Sequence, residues 1–234
     1  MLPRLTPFAG AALALLSGLI GGCSGSSSSS GNGIASKSPT EIVAATRAAA
    51  EKASSVHLSG SIVSGGSPIT LNLDLLAGRG GRGQLSESGV SFELVQTGGT
   101  VYIKGSPAFY RRIGGSAAAQ LLQGKWLKAP TTSSDFASIS SLTDLRKLID
   151  STLASHGTLR KEATKTVNGQ PAVGVTDVTR GGTLYVATKG KPYPVAIAKS
   201  GSGGGKVNFE RWNEQVTITP PSDAIDISQL RSSK

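Results

Sequence analysis

The chain is poor in the residues that most enzyme and metal sites need. It has one cysteine, Cys23, two histidines, 14 acids among 234 residues and 5% aromatics. A single cysteine excludes an intramolecular disulfide, so the body must fold by packing alone. His57 and His156 stand far apart with no second thiol, which leaves no ligand set for zinc. His57, beside Val56 and Leu58 in a strand, is expected as an outward or edge polar residue. His156 falls at a helix end, where an imidazole can bond the last carbonyls. No serine occupies a Gly-x-Ser-x-Gly elbow, and no carboxylate pair stands out. "SGSGGGKV" at 200–207 fails as a phosphate loop: Gly201 to Lys206 is one residue short, Val207 replaces the hydroxyl residue, and a strand follows. Nothing here points to catalysis, a metal or a cofactor.

Acids are also too few to balance the bases. The formal charge is +10, from 24 Lys and Arg, but the surplus is spread in short pairs such as Arg111 with Arg112 and Arg160 with Lys161. A nucleic-acid binder more often carries a dense basic stripe with interleaved aromatics, so no nucleic-acid partner is expected. An anionic membrane surface or envelope polymer fits the charge better, with plain solubility as the simpler account.

The N-terminus lacks a run long enough for a membrane span, which needs about 20 apolar residues. Phe8 to Ile20 has instead the length of a secretory signal core behind one basic residue, Arg4. Ile20, Gly21, Gly22 and Cys23 resemble the lipobox of bacterial lipoproteins, in which a diacylglycerol is attached to the cysteine sulfur before cleavage. A free cysteine after a signal peptide, or an uncleaved anchor helix, are the alternatives. Residues 24–38, "SGSSSSSGNGIASKS", have almost nothing to bury and are expected to be a flexible coil with a reach of about 20 Å. The expected organisation is a lipoprotein signal peptide over 1–22, a lipidated cysteine and tether over 23–38, and one domain over 39–234, large enough for a real core. Two acyl chains on Cys23 would hold the protein at the extracytoplasmic face of a cell membrane.

Within the domain, "SPTE" opens a helix: Ser38 as cap, Pro39 at the first position and Glu41 reaching back. Ile42, Ala45, Ala49 and Val56 then recur at near-helical spacing, which predicts a helix over 39–54. From Val56 the period becomes two. "VHLSGSI", "ITLNLDL", "VSFEL" and "TVYIK" read as half-buried antiparallel strands, with Ile69, Leu71, Leu73 and Leu75 on one face. A short helix is expected around 117–122. A second long helix is expected in "SSLTDLRKLIDSTLASHG", with an apolar stripe of Leu142, Leu145, Leu148, Ile149 and Leu153, closed by Gly157. Asn168-Gly169 marks a hairpin between "LRKEATKTV" and "QPAVGVTDV". "TLYVAT", "PVAIAK", "KVNFERW" and "QVTIT" complete nine or ten strands.

This pattern predicts an α+β fold whose mostly antiparallel sheet must cover its apolar face or close on itself. Glycines at 60, 78, 80, 81 and 83 permit strong curvature, and helices in the concavity can leave an apolar gap. "VYIKGSPAFYRRIGG", "GKWLKAP", "TVNGQPAVGV", "YPVAI" and "VNFERWNEQVTITPPSDAIDI", with the lipobox and tether, resemble the actinobacterial LppX/LprG lipoprotein family over nearly the whole chain. The resemblance implies a strongly curved, unclosed antiparallel half-barrel with helices on its concave side, related to the LolA and LolB lipoprotein carriers. It implies binding of an acylated lipid or lipoglycan and its carriage within the cell envelope, without covalent change. On that reading the cavity walls are Leu71, Leu73, Phe92, Leu94, Val101, Ile103, Leu142, Leu145 and Leu148, which read equally well as ordinary core. Arg111, Arg112, Lys125, Trp126 and Lys128 would flank its mouth and meet an anionic headgroup, or form a solvated basic loop. A monomer is expected, with an envelope export protein as a possible partner. The competing class is a surface-anchored structural or sensory module with a packed core and a protein partner; an unrecognised hydrolase is a third.

Overall fold

Ser38 and Glu41 open the first helix as their spacing demands. The Ser38 N–H donates to Glu41 Oε2 at 2.9 Å and the Glu41 N–H to Ser38 Oγ at 3.4 Å, closing a capping box on α1 (Pro39–Glu51). The computed structural model of the protein describes residues 31–133, 142–201 and 203–231. Cys23 and the signal segment 1–22 lie outside the described residues. Residues Gly31–Lys234 form one compact unit that holds every described element and core cluster.

The domain begins earlier than 39. Ile34, in a single 3₁₀ turn (Ile34–Ser36), is 2% exposed and joins the main core. Asn32 donates its N–H to Thr188 O at 2.8 Å and its side-chain amide to Ala187 O at 2.9 Å. One apolar side chain in a polar tract was enough to dock residues expected to be coil.

Twelve strands form one sheet in the order β12-β6-β5-β4-β3-β2-β1-β11-β10-β9-β8-β7. The meander β1 (Ser55–Ser64), β2 (Ser67–Leu76), β3 (Gly80–Glu87), β4 (Val90–Thr97), β5 (Thr100–Gly105) and β6 (Leu127–Pro130) makes one half. The other runs β7 (Leu159–Val167), β8 (Gln170–Asp177), β9 (Thr183–Ala187), β10 (Pro194–Lys199) and β11 (Gly205–Glu210), and β11 pairs with β1 to join them. All pairs are antiparallel except β12 (Ile225–Asp226), which lies parallel to β6. The edges β12 and β7 do not meet, so the sheet is unclosed.

Three segments depart from the sequence reading. "GGRGQLSE" is not among the expected strands, yet it is β3, held between β2 and β4 by the ladder Leu71–Leu85–Phe92. "QVTIT" alternates like a strand but is irregular, running below the Leu76 and Thr97 ends of β2 and β4. The second long helix, α3 (Leu145–Leu153), stops at Ala154, and Gly157 lies beyond it with its N–H on Asp177 Oδ2 at 2.8 Å instead of closing the helix.

The helices sit on one face. α1 and α3 pack together, and Ile42, Ala50, Leu145 and Ile149, all at most 1% exposed, share one cluster with Leu58 and Leu73 on one side and Val173 and Val186 on the other. Since β2 and β8 are five strands apart in the sheet, the sheet wraps the helix pair. Gly60 and Gly83 allow the bend: their φ values are +149° and +154°, and a Cβ on either would stand 2.0 Å from a neighbouring carbonyl oxygen.

The helix α2 (Pro107–Leu122) is longer than expected and kinked at Gly115 (φ 75°, ψ −170°). Tyr110 fixes it to the meander: its buried hydroxyl accepts from the Gly105 N–H at 2.9 Å and donates to Lys125 O at 2.8 Å. Desolvation in this setting raises the phenol's pKa. Phe109 rests on Gly105 and lies 5.4 Å from Phe92, which puts the start of α2 on the concave face beside β4 and β5.

Candidate functional site

Ladder registers sort the strand residues into rows that cross the sheet. One concave row runs Phe209, Leu58, Leu73, Gly83, Leu94, Ile103, Leu127. Its apolar side chains are 1–5% exposed and belong to packed clusters. Two residues along each strand is a second row: Val175, Leu184, Ile197, Val207, Gly60, Leu71, Leu85, Phe92, Gly105. From Ile197 to Phe92 every side chain in it is only half-buried. Leu85 touches both the main core and the Leu94–Val101–Ile103 cluster, so the row forms an unbroken apolar band between them.

At one end this band enters a cavity of about 200 Å³. Val43 and Leu153 from the helix pair and Leu159, Val175, Leu184 and Ile197 from the sheet give it an apolar lining. Its rim is polar, with His156, Asp177, Arg180 and Thr183. Asp177 is fixed there as a carboxylate: N–H donors of Gly157, Arg180 and Thr179 lower its pKa, Gly157 most. Arg180 in turn donates to Ser155 O and Oγ at 3.1 and 2.8 Å, which ties the β8–β9 turn to the end of α3. At its other end the band stops against Phe109.

The nine expected cavity residues divide along the same line. Leu73, Leu94, Val101, Ile103 and Leu145 are 0–3% exposed within packed clusters. Leu71 and Phe92 lie in the half-buried band, Leu148 is half-buried against the main core, and Leu142 is 40% exposed. None of the nine lines the 200 Å³ cavity. The five expected mouth residues are not brought together. Arg111 and Arg112 are exposed on α2, with Arg112 3.9 Å from Glu87. β6 alternation sends Lys128 and Trp126 to the convex face, where Lys104 lies 5.0 Å from the indole centroid. Lys125 is exposed in the turn between α2 and β6.

Leu85, Ile197 and Val207 were missed by sequence reasoning. Leu85 is the one large apolar residue of a glycine-rich segment, and Ile197 owes its face to a bulge between Pro194 and Ala196 that sends Val195 to a separate cluster. His57 does lie on the outward face, but paired: its Nδ1 is 2.8 Å from Asp74 Oδ1, which also accepts from Arg211 at 2.9 Å. His156 Nδ1 lies 3.1 Å from Gly157 O, past the helix end.

An open antiparallel sheet wrapped around a helix pair, with an apolar band left on its concave face, defines an α+β, LolA/LppX-like architecture. No protein-family model and no curated protein matches the chain. Solved structures do. LprF from Mycobacterium bovis aligns at 14% identity over 78% of this chain and 96% of its own, with a TM-score of 0.56. The Mycobacterium tuberculosis lipoprotein LppX aligns at 18% identity over 77% of this chain and 98% of its own, with a TM-score of 0.50. At these identities the shared property is the fold, the one that the sequence motifs imply.

Proposed function

We propose that the protein is a membrane-anchored extracytoplasmic lipoprotein that binds an acylated lipid or lipoglycan on its concave face and carries it within the cell envelope. Acylation at Cys23 provides the anchor, the domain acts as a monomer, and an envelope export protein receives or delivers the cargo. The half-buried apolar band leading into the 200 Å³ cavity is the observation that supports this reading. Withdrawing a C16 chain from water is worth on the order of 10 kcal/mol. The band is a surface on which such a chain can be withdrawn, and no charged side chain interrupts its Ile197-to-Phe92 stretch.

The cavity alone is too small for the whole cargo. Ligand pockets run to about 300–1,000 Å³, and at about 30 Å³ for a water-sized group this one takes roughly seven. A bound chain therefore lies along the band with its end in the cavity, or the helix pair moves aside. Only side chains with 41% and 49% exposure, Arg47 and Asp150, make the ion pair between α1 and α3, and such a surface pair contributes little to holding them.

The small cavity also favours a second reading, a surface-anchored module whose interior is packed and whose function lies in a protein partner. Native mass spectrometry of residues 31–234 purified from a lipid-replete bacterial host, followed by organic extraction, separates the two. Discrete adducts that extract as acyl lipids support the carrier. A clean apo mass, with no uptake of added phospholipid or lipoglycan, supports the packed module.

A further inference from the structure

The exposed surface of α2 is unlike the rest of the molecule. Ile113 and Leu121 are each 59% exposed, the most of any large apolar side chain among the described residues. They stand on either side of the Gly115 kink, while Tyr110, Ala119 and Leu122 are buried in a packed cluster. Their exposure is thus imposed by a fixed helix: the Tyr110 hydroxyl ties it to β5 and to the turn before β6.

Basic residues accompany the apolar pair. Arg111 and Arg112 precede Ile113 directly and are exposed, and Lys125 follows α2. The whole stretch from Leu94 to Ser134 carries no acid. Among the described residues the one carboxylate within ion-pair range of the two arginines is Glu87, 3.9 Å from Arg112. Exposed apolar side chains flanked by arginines are what an interfacial helix presents to a bilayer: the apolar groups enter the headgroup boundary and the guanidinium groups meet phosphates. A protein interface core would instead be depleted of charge at its centre.

We propose that the exposed surface of α2 docks on an anionic phospholipid bilayer, with Ile113 and Leu121 entering the interfacial layer and Arg111 and Arg112 engaging lipid phosphates. This contact is separate from any anchor on Cys23 and stands whether or not the concave band carries cargo. Phe109, one turn before Ile113, closes the apolar band at its α2 end, so docking sets that end of the band toward the bilayer.

Vesicle flotation with the compact unit, residues 31–234, tests the docking without the anchor. Binding is expected to vesicles of mixed phosphatidylglycerol and phosphatidylcholine, and to weaken as salt rises. The double variant Ile113→Ser/Leu121→Ser should lower partitioning about tenfold, and Arg111→Gln/Arg112→Gln by a similar factor of about ten. Val178→Ser, which removes a side chain 47% exposed at the far β8–β9 turn, should leave it unchanged. All three replace exposed side chains, and thermal melting checks that each variant is folded. Equal binding to pure phosphatidylcholine, wild-type binding by either double variant, or an equal loss in Val178→Ser would overturn the proposal. Vesicle binding without extractable lipid would leave docking standing and the carrier reading failed; extractable lipid without vesicle binding would give the reverse.

Discussion

Two neighbouring rows of one concave face meet different fates. Phe209, Leu58, Leu73, Leu94 and Ile103 are 1–4% exposed, whereas Val207, Leu71, Leu85 and Phe92, two residues away on the same strands, stay half-buried. Both rows are aliphatic and aromatic, and both obey the same alternation. What differs is what lies above them: α1 and α3 pack down on Phe209, Leu58 and Leu73, Leu94 and Ile103 are buried in the cluster beside the start of α2, and the second row emerges between the helix pair and that cluster. Alternation therefore encodes which face is apolar, while the helices decide which part of that face becomes core and which remains available.

The comparison can be broken from the core side first. Leu145, 0% exposed in α3 above the buried row, should be the more costly to truncate: Leu145→Ala is expected to lose about 3–5 kcal/mol in urea unfolding. A loss under about 1 kcal/mol would mean that the helix pair is loosely seated and that the buried row is itself accessible. Leu85→Ser, in the half-buried row, should cost only about 1–2 kcal/mol but lower uptake of a fluorescent fatty acid several-fold. If Leu85→Ser leaves uptake unchanged while Leu145→Ala abolishes it, the roles assigned to the two rows are exchanged.

The convex face supplies the smallest effect on uptake and an internal control, because it lies away from both rows. Burial of the Asp74 carboxylate opposes its charge, but hydrogen bonding and attraction from His57, then Arg211 and Arg82, outweigh it, and the folded-state pKa is lowered. The Asp74 contribution is therefore fully present above the unfolded value near about 3.9 and is lost as pH falls through the lower folded value. Asp74→Asn should lose about 1–2 kcal/mol near neutral pH and flatten the acid limb of a melting-temperature profile below about pH 4. Its lipid uptake should match wild type; a loss of uptake would tie the convex face to the site.

Much of this molecule could be read from residue order, and the failures have local causes. The capping box at Ser38 and Glu41, the Asn168-Gly169 hairpin and the alternation of "ITLNLDL" are short-range signals, and they appear as α1, the β7–β8 turn and β2. β3 was hidden because four of its eight positions are glycine or small polar residues and its strand character comes from two neighbours in the ladder. "QVTIT" has the pattern of a strand but passes the ends of β2 and β4 instead of lying along an edge of the sheet. For the site, Leu71 and Phe92 were named, but nothing in their local sequence separates them from Leu73 and Leu94. Ile197 could not have been assigned a face, because the bulge after Pro194 reverses the parity of β10.

The docked Ile34 changes how the domain would hang from a membrane. With Cys23 acylated, as proposed, and Asn32 already bonded to Thr188 and Ala187, the stretch whose composition still predicts a coil leash is 24–30. Its root-mean-square span is about 15 Å, against about 20 Å for the fifteen residues of 24–38. A leash this short turns any second contact with the bilayer into an intramolecular event, at effective concentrations of order millimolar. A face as small as that of α2 then needs only feeble intrinsic affinity to stay seated, and can release and re-engage quickly without the protein ever leaving the membrane.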